Sequence, residues 1–225
     1  MFIELHTASA FSFLRGASMP DALIARAAEL GYPSLALMDA DGVYGAPQFY
    51  RAAKKAGLKA IVGAELTMGP PVASGADAAR QVWRLPVLVA SAEGYRNLCR
   101  VITQGHLRAA KGEARFALKD FDGRAAGLIA LAGRDALLAE THGVGGLVDQ
   151  LVGVFGRQGV WVELQRHLRR DDERFNRGLI DLAEALKGTG RLSADEQSRL
   201  ADMTRFIAGG AGSLALAKRA LANSR

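Results

Sequence analysis

Short apolar runs and amphipathic stretches take turns along this chain, and their periods predict strands and helices in strict alternation. "FIEL" (2–5), "SLALM" (34–38), "KAIVGAEL" (59–66), "RLPVLVA" (84–90), "GLIALA" (127–132) and "GVWVEL" (159–164) read as strands. Between them, "SMPDALIARAAELG" (18–31) places Leu23, Ile24, Ala27 and Leu30 on one stripe, with Ser18 as cap, Pro20 and Asp21 in the first turn and Gly31 at the end. "APQFYRAAKKAG" (46–57) closes on Gly57, a third helix starts at Ser91 and runs to about residue 110, and a fourth lies near 144–156. Such alternation argues for an α/β domain with parallel strands and helical crossovers. The strands are apolar on both faces, and polar residues gather at their C-terminal ends: His6, Asp39, Glu65, Glu163 and His167. A site spread around one rim favours a barrel over an open sheet, which concentrates its ligands at one switch point.

After about residue 186 the pattern changes. No run of β-branched residues follows; Leu192, Leu200, Met203, Phe206 and Ile207, then Leu214, Leu216 and Leu221, keep helical spacing. Residues 1–186 therefore read as the barrel domain. Residues 187–225 read as a helical tail, expected to pack on the barrel through helices at 194–208 and 213–223.

With 49% apolar residues the chain can fill a core, which argues against a disordered chain. The single cysteine, Cys99, excludes an intrachain disulfide framework and fits a reducing compartment. The N-terminus has no basic stretch of a secretory signal, and no run is long enough to span a bilayer, so a cytoplasmic protein without membrane contact is expected. The net charge of +6 suits an anionic partner. Lys and Arg outnumber Asp and Glu between Arg80 and Arg134, so this region could engage DNA or simply be a solvated face. No phosphate-cradling glycine motif follows any strand.

The loop "MDADGVYG" (38–45) raises the question of chemistry. Asp39 and Asp41 sit two apart at a strand exit, as in metal or proton sites, but Ala40 between them offers an ion nothing. Turn formation is the simpler role for two such aspartates. His6 reads as a hydrogen-bonded rim residue, His106 as exposed or capping, and Trp83 and Trp161 as packing residues.

Several long blocks resemble the PHP domain of bacterial C-family DNA polymerases, the DNA polymerase III alpha and error-prone types. They are "IELHTASAFSFLRGAS", "ELGYPSLALMDADGVYGAPQFYRAAKKAGLKAIVGAEL", "GYRNLCRVITQGHLRA" and "VWVELQRHLRRDDERFNRGLIDLA". The resemblance runs from residue 2 to about 186. It implies a distorted (β/α)7-like barrel, whose closing strand is missing from the pattern after residue 186. It also implies a cluster of zinc or manganese ions on His, Asp, Glu and Cys ligands that hydrolyses phosphoesters.

Aligned with that pattern, His6, Asp39, Glu65 and His106 stand at vestigial ligand positions. The second histidine of H-x-H is Ala8, the aspartate of "FLDGAS" is Arg15, the histidine of "TDHDGVYG" is Ala40 and the cysteine of "ALTGC" is Arg134. The late D-x-H pair is absent. A catalytic zinc wants about three protein ligands, and a guanidinium cannot deprotonate to become one. The expectation is a degenerate site without catalytic residue, metal or other cofactor, in which Glu65 pairs with Arg15 or Arg134. The resemblance further implies a supporting role within an error-prone polymerase, in DNA replication, repair and translesion synthesis, with the remainder of that polymerase and its mutasome or sliding clamp as partners. By itself the chain, lacking the palm, would not polymerise DNA. Two other readings stay open: a phosphoesterase or 3′–5′ exonuclease using zinc, manganese or magnesium on Asp39, Asp41 and Glu65, and a basic nucleic-acid-binding module.

Overall fold

A computed structural model describes residues 3–70, 82–134, 143–165, 172–174 and 176–180. The proposed tail, His167 and the place of the D-x-H pair lie outside the described residues. Six strands form one sheet in sequence order. They are β1 (Glu4–Thr7), β2 (Ser34–Ala40), β3 (Lys59–Met68), β4 (Trp83–Val89), β5 (Leu128–Ala132) and β6 (Val160–Val162). Among the described residues the α-helices that cover it include α1 (Pro20–Glu29), α2 (Ala46–Ala56), α3 (Ala92–Leu107) and α4 (Gly143–Phe155).

The local signals account for most helix ends. Ser91 caps α3, its side chain accepting the Gly94 amide, and Gly57 ends α2 in the left-handed conformation that its lack of a Cβ allows. Ser18 does not cap α1. Met19 holds that place without a side-chain hydrogen bond, while the Ser18 carbonyl accepts the Ala10 amide and ties down the loop after β1.

Strand alternation separates an inside from an outside. Ala36, Met38, Leu88, Ile129 and Leu131 meet Leu5 in one cluster, joined by Ile61 and Trp161, so all six strands line a common interior. The intervening residues face the helices. Leu35 and Leu37 pack on α1 and α2 through Ile24 and Phe49, and Leu66, Val87 and Ala130 pack on α3 and α4 through Leu98 and Leu151. The sheet is thus curled into a half-barrel with its helices outside.

Two features differ from the expectation of uniformly parallel strands. β4 runs antiparallel to both neighbours, while β1, β2 and β3, and β5 and β6, pair in parallel. The segment between β3 and β4 carries Pro70, Pro71 and Gly75 and no amphipathic helix pattern. Parallel neighbours need a crossover connection, usually a helix, whereas a reversed strand follows a simple return of the chain, and the sequence of this segment favours the latter. The second feature is a register shift in β1. Glu4 and Thr7 partner Leu35 and Leu37, so three steps of β1 match two of β2. Such a bulge re-aims a side chain, and here it lets both Leu5 and His6 turn to the interior side.

Candidate functional site

The interior opens at one rim into a cavity of about 330 Å³, lined by His6, Ala8, Arg15, Glu65, Arg84, Pro86, Gly133, Arg134, Glu163 and Gln165. Alternation brings Glu65 there. It stands on the inward face of β3, two residues beyond Gly63, and is 4% exposed. His6 comes from the β1 bulge and Arg15 from the loop that follows. Arg134 and Glu163 follow β5 and β6. Because β4 is reversed, its first residues reach the rim where the other strands end, and they carry Arg84 into the cavity.

Glu65 is saturated. Arg15 donates through Nη2 to both carboxylate oxygens, at 2.8 and 2.6 Å, and His6 Nε2 lies 3.2 Å from Oε2. Arg84 Nε stands 3.8 Å from Oε1, close enough for attraction but not for a hydrogen bond. Burial raises the Glu65 pKa, but the hydrogen bonds from His6 and Arg15 and their charges prevail and hold it down at about 2.

His6 joins the two edges of the half-barrel. Its Nδ1 meets Glu163 Oε1 at 2.8 Å, a contact between the first and last strands of the sheet. Burial opposes a charged imidazole, yet the Glu163 and Glu65 carboxylates on its two sides outweigh that and push its pKa up to about 10. Both ring nitrogens therefore carry protons and donate. The Gln165 amide nitrogen, 2.9 Å from Nδ1, finds no lone pair there, and its hydrogen bond is the 3.0 Å one to Glu163 Oε2.

Stability should follow these two titrations. Between about pH 6.5 and 10 the folded chain keeps a proton on His6 that the unfolded chain has lost, so stability falls as pH rises through that window. For Glu65, stability falls as pH drops from about 4.5 through about 2. The contribution of this pair is thus greatest from about pH 4.5 to 6.5. Thermal melts from pH 5 to 10 should show the melting temperature of the native chain declining toward that of His6→Gln. Parallel curves would mean that His6 has no raised pKa.

The other candidate positions are placed elsewhere or spoken for. Asp39 shares the outer face of β2 with Leu35 and Leu37 and does not line the cavity. It is 1% exposed and accepts the Ser9 amide at 2.8 Å, the Ser9 hydroxyl at 2.9 Å and the Ser12 hydroxyl at 2.7 Å. Asp41 adopts the left-handed conformation, φ 51°, and its carboxylate accepts the Thr67 amide and hydroxyl at 2.6 and 2.7 Å. His106, on α3, donates from Nε2 to the Asp41 carbonyl at 2.7 Å and packs edge-on to Phe116. Ala40 pairs with Glu65 across β2 and β3, and Ala8 lines the cavity; neither has a group to offer. Arg134 pairs with Asp172 at 3.7 Å.

Arg84 and Gln165 were not among the residues singled out from the sequence. Arg84 opens a strand, where a parallel strand would have put it at the opposite end. Its one sequence signal was the segment before β4, which carries Pro70, Pro71 and Gly75 and no amphipathic pattern.

A divalent ion does not fit these residues as they stand. The Glu65 oxygens are taken by the Arg15 guanidinium and His6 Nε2, and His6 Nδ1 is taken by Glu163. Asp39 and Asp41 are committed to separate sets of donors. Among the described residues no group of three or more His, Cys, Asp or Glu could hold a metal ion.

The model of the PHP domain family matches residues 4–167. An error-prone DNA polymerase from Idiomarina loihiensis is 32% identical over 96% of this chain, covering 20% of that protein. One from Ralstonia nicotianae is 42% identical over 61% of the chain and 12% of that protein, and one from Pseudomonas aeruginosa is 35% identical over 83% and 16%. The chain thus spans a fifth or less of the length of these relatives. Among solved structures, an amidohydrolase from Chromobacterium violaceum superposes with a TM-score of 0.51 at 17% identity, covering 82% of this chain and 84% of that one. That likeness concerns the fold, and it agrees with the α/β half-barrel. With the family pattern spanning the half-barrel from β1 to just beyond β6, this chain belongs to the PHP domain family.

Proposed function

We propose that this PHP domain is a non-hydrolytic, supporting part of an error-prone C-family DNA polymerase, with its metal centre replaced by an internal ion-pair network. The observation that carries this reading is the double engagement of Glu65, by Arg15 on one side and a protonated His6 on the other. Positive charge that divalent ions would otherwise supply is here covalently part of the chain, and it holds the rim together instead of activating water. The similarity to stretches of much longer polymerases supports a partner in the form of the remaining polymerase domains, acting with the sliding clamp in damage-tolerant synthesis in the cytoplasm. No described helix is long and apolar enough to cross a membrane.

The test is elemental analysis of the dialysed protein, joined to phosphoesterase and 3′-exonuclease assays with added manganese. The expected result is substoichiometric metal and no manganese-dependent cleavage. One transition metal per chain that survives dialysis, or cleavage that manganese switches on, would overturn the reading in favour of a phosphoesterase.

A further inference from the structure

We propose that the outer flank of α3, with the segment that follows it, is a sequence-independent contact for the phosphate backbone of duplex DNA, separate from the rim and its chemistry. The basic excess between Arg80 and Arg134 divides in the fold. Arg84 and Arg134 line the rim cavity, whereas Arg96, Arg100 and Arg108 are exposed along α3 and at its end. From residue 92 to residue 124 seven Lys and Arg stand against four Asp and Glu. Of those acids, Asp120 is buried and taken by the Arg108 fork and the Ala117 amide. Glu93 lies in the first turn of α3, where a carboxylate suits the positive end of the helix. Glu113 and Asp122 remain, both exposed. Three of the arginines are positioned by neutral oxygens. Arg100 donates to Asn97 Oδ1 at 3.3 Å, Arg115 to the Ala114 carbonyl at 2.8 Å and Arg124 to Gln104 Oε1 at 3.0 Å. Such acceptors hold a guanidinium in place and leave its charge for an outside anion, so part of the ordering cost of binding is met in the free protein.

The spacing suits a phosphate backbone. Arg96, Arg100, Gln104 and Arg108 recur at every fourth residue, while Leu98, Val101, Ile102 and Gly105 are buried on the opposite side of the helix. Each step along the row rises about 6 Å, comparable with the gap between neighbouring phosphates of one strand. Arg124 brings its charge to the row at Gln104. A helix flank is convex, and no aromatic ring stands in this row. Single strands are held in grooves furnished with stacking aromatics, so a convex row of arginines fits a duplex instead. Contacts of this kind place a protein on DNA without reading its bases.

The experiment is a fluorescence-anisotropy titration of the full chain against a short labelled duplex and against one of its strands, in EDTA, from ~50 to ~200 mM salt. Duplex binding should weaken with salt along a log–log slope of about −3 or steeper, the value for three or more phosphate contacts. The double variant Arg96→Gln/Arg100→Gln, its fold checked by circular dichroism, should flatten that slope by about 2 and weaken binding about 50-fold at ~0.1 M salt. Lys54→Gln/Lys55→Gln removes the same charge from the last turn of α2, outside the row, and should leave affinity within about twofold. Equal loss in the two double variants overturns the proposal, because net charge alone then accounts for binding. Duplex binding too weak to measure at the lowest salt overturns it as well, and so does tighter binding of the single strand. If the arginine double variant does not fold, Arg96→Gln alone carries the test, with a slope flatter by about 1. Neither double variant alters a rim residue, so metal content and manganese-dependent cleavage are read independently of this result.

Discussion

Glu65→Gln lowers the stability of the domain by about 2–4 kcal/mol near pH 6. Loss of one partner from a buried ion pair costs roughly 3–5 kcal/mol, and the figure is reduced because the Arg15 side chain is 36% exposed and water reaches it. Glutamine keeps the size of the side chain and one acceptor oxygen, but replaces the other with a donor. It cannot balance a guanidinium and an imidazolium that converge on the same group. The expected fall in melting temperature is roughly 5–12 °C for a domain of this size. The deficit should shrink as pH falls from about 4.5 toward 2, where the native carboxylate becomes protonated as well. Arg15→Met should cancel part of the penalty in the double variant, since it removes one of the orphaned charges. An unchanged melting temperature in Glu65→Gln would show that water already solvates the carboxylate.

Asp39→Ala acts through a different mechanism and is expected to cost about 3–5 kcal/mol, given roughly 1–3 kcal/mol for each buried donor left without an acceptor. The Asp39 carboxylate organises the loop between β1 and α1. It takes the Ser9 amide and both serine hydroxyls, while Ser12 Oγ in turn accepts the Ala40 amide. Its removal leaves those donors buried without an acceptor. The same loop carries Arg15, so its loosening should also weaken the Arg15–Glu65 contact. Denaturant melts measure the stability loss, and hydrogen exchange should show amides 9–16 opening faster. If exchange there stays native-like, the loop is held by something other than Asp39. The void is small, so packing loss contributes little. Asp39→Asn, which keeps an acceptor oxygen, should cost well under half as much.

Much of the architecture could be read from the chain because its signals act over a few residues. Short apolar runs placed all six strands to within a few residues, and Ser91 and Gly57 mark helix ends by hydrogen bonding and by backbone freedom. The rim carboxylate Glu65 was also legible, since a strand's alternation and its last residues can be counted. Asp39 could have been assigned to the outer face by the same count, from Leu35 and Leu37. Its place in a ligand-like loop argued otherwise.

What the sequence by itself determined was the alternation of elements and the sorting of apolar residues to the two faces of the sheet. The tertiary structure decided the direction of β4, the bulge in β1 and the choice of Arg15 for Glu65 and Asp172 for Arg134. Strand direction depends on which edge the returning chain can pair with. The aim of His6 depends on how three residues of β1 register against two of β2. A charge chooses among partners far away along the chain by distances of a few ångström, since Coulomb energy and hydrogen-bond geometry both fall off on that scale. Periodicity along the chain carries no record of those distances, so the cavity that His6, Arg84 and Glu163 share exists only once the sheet has curled.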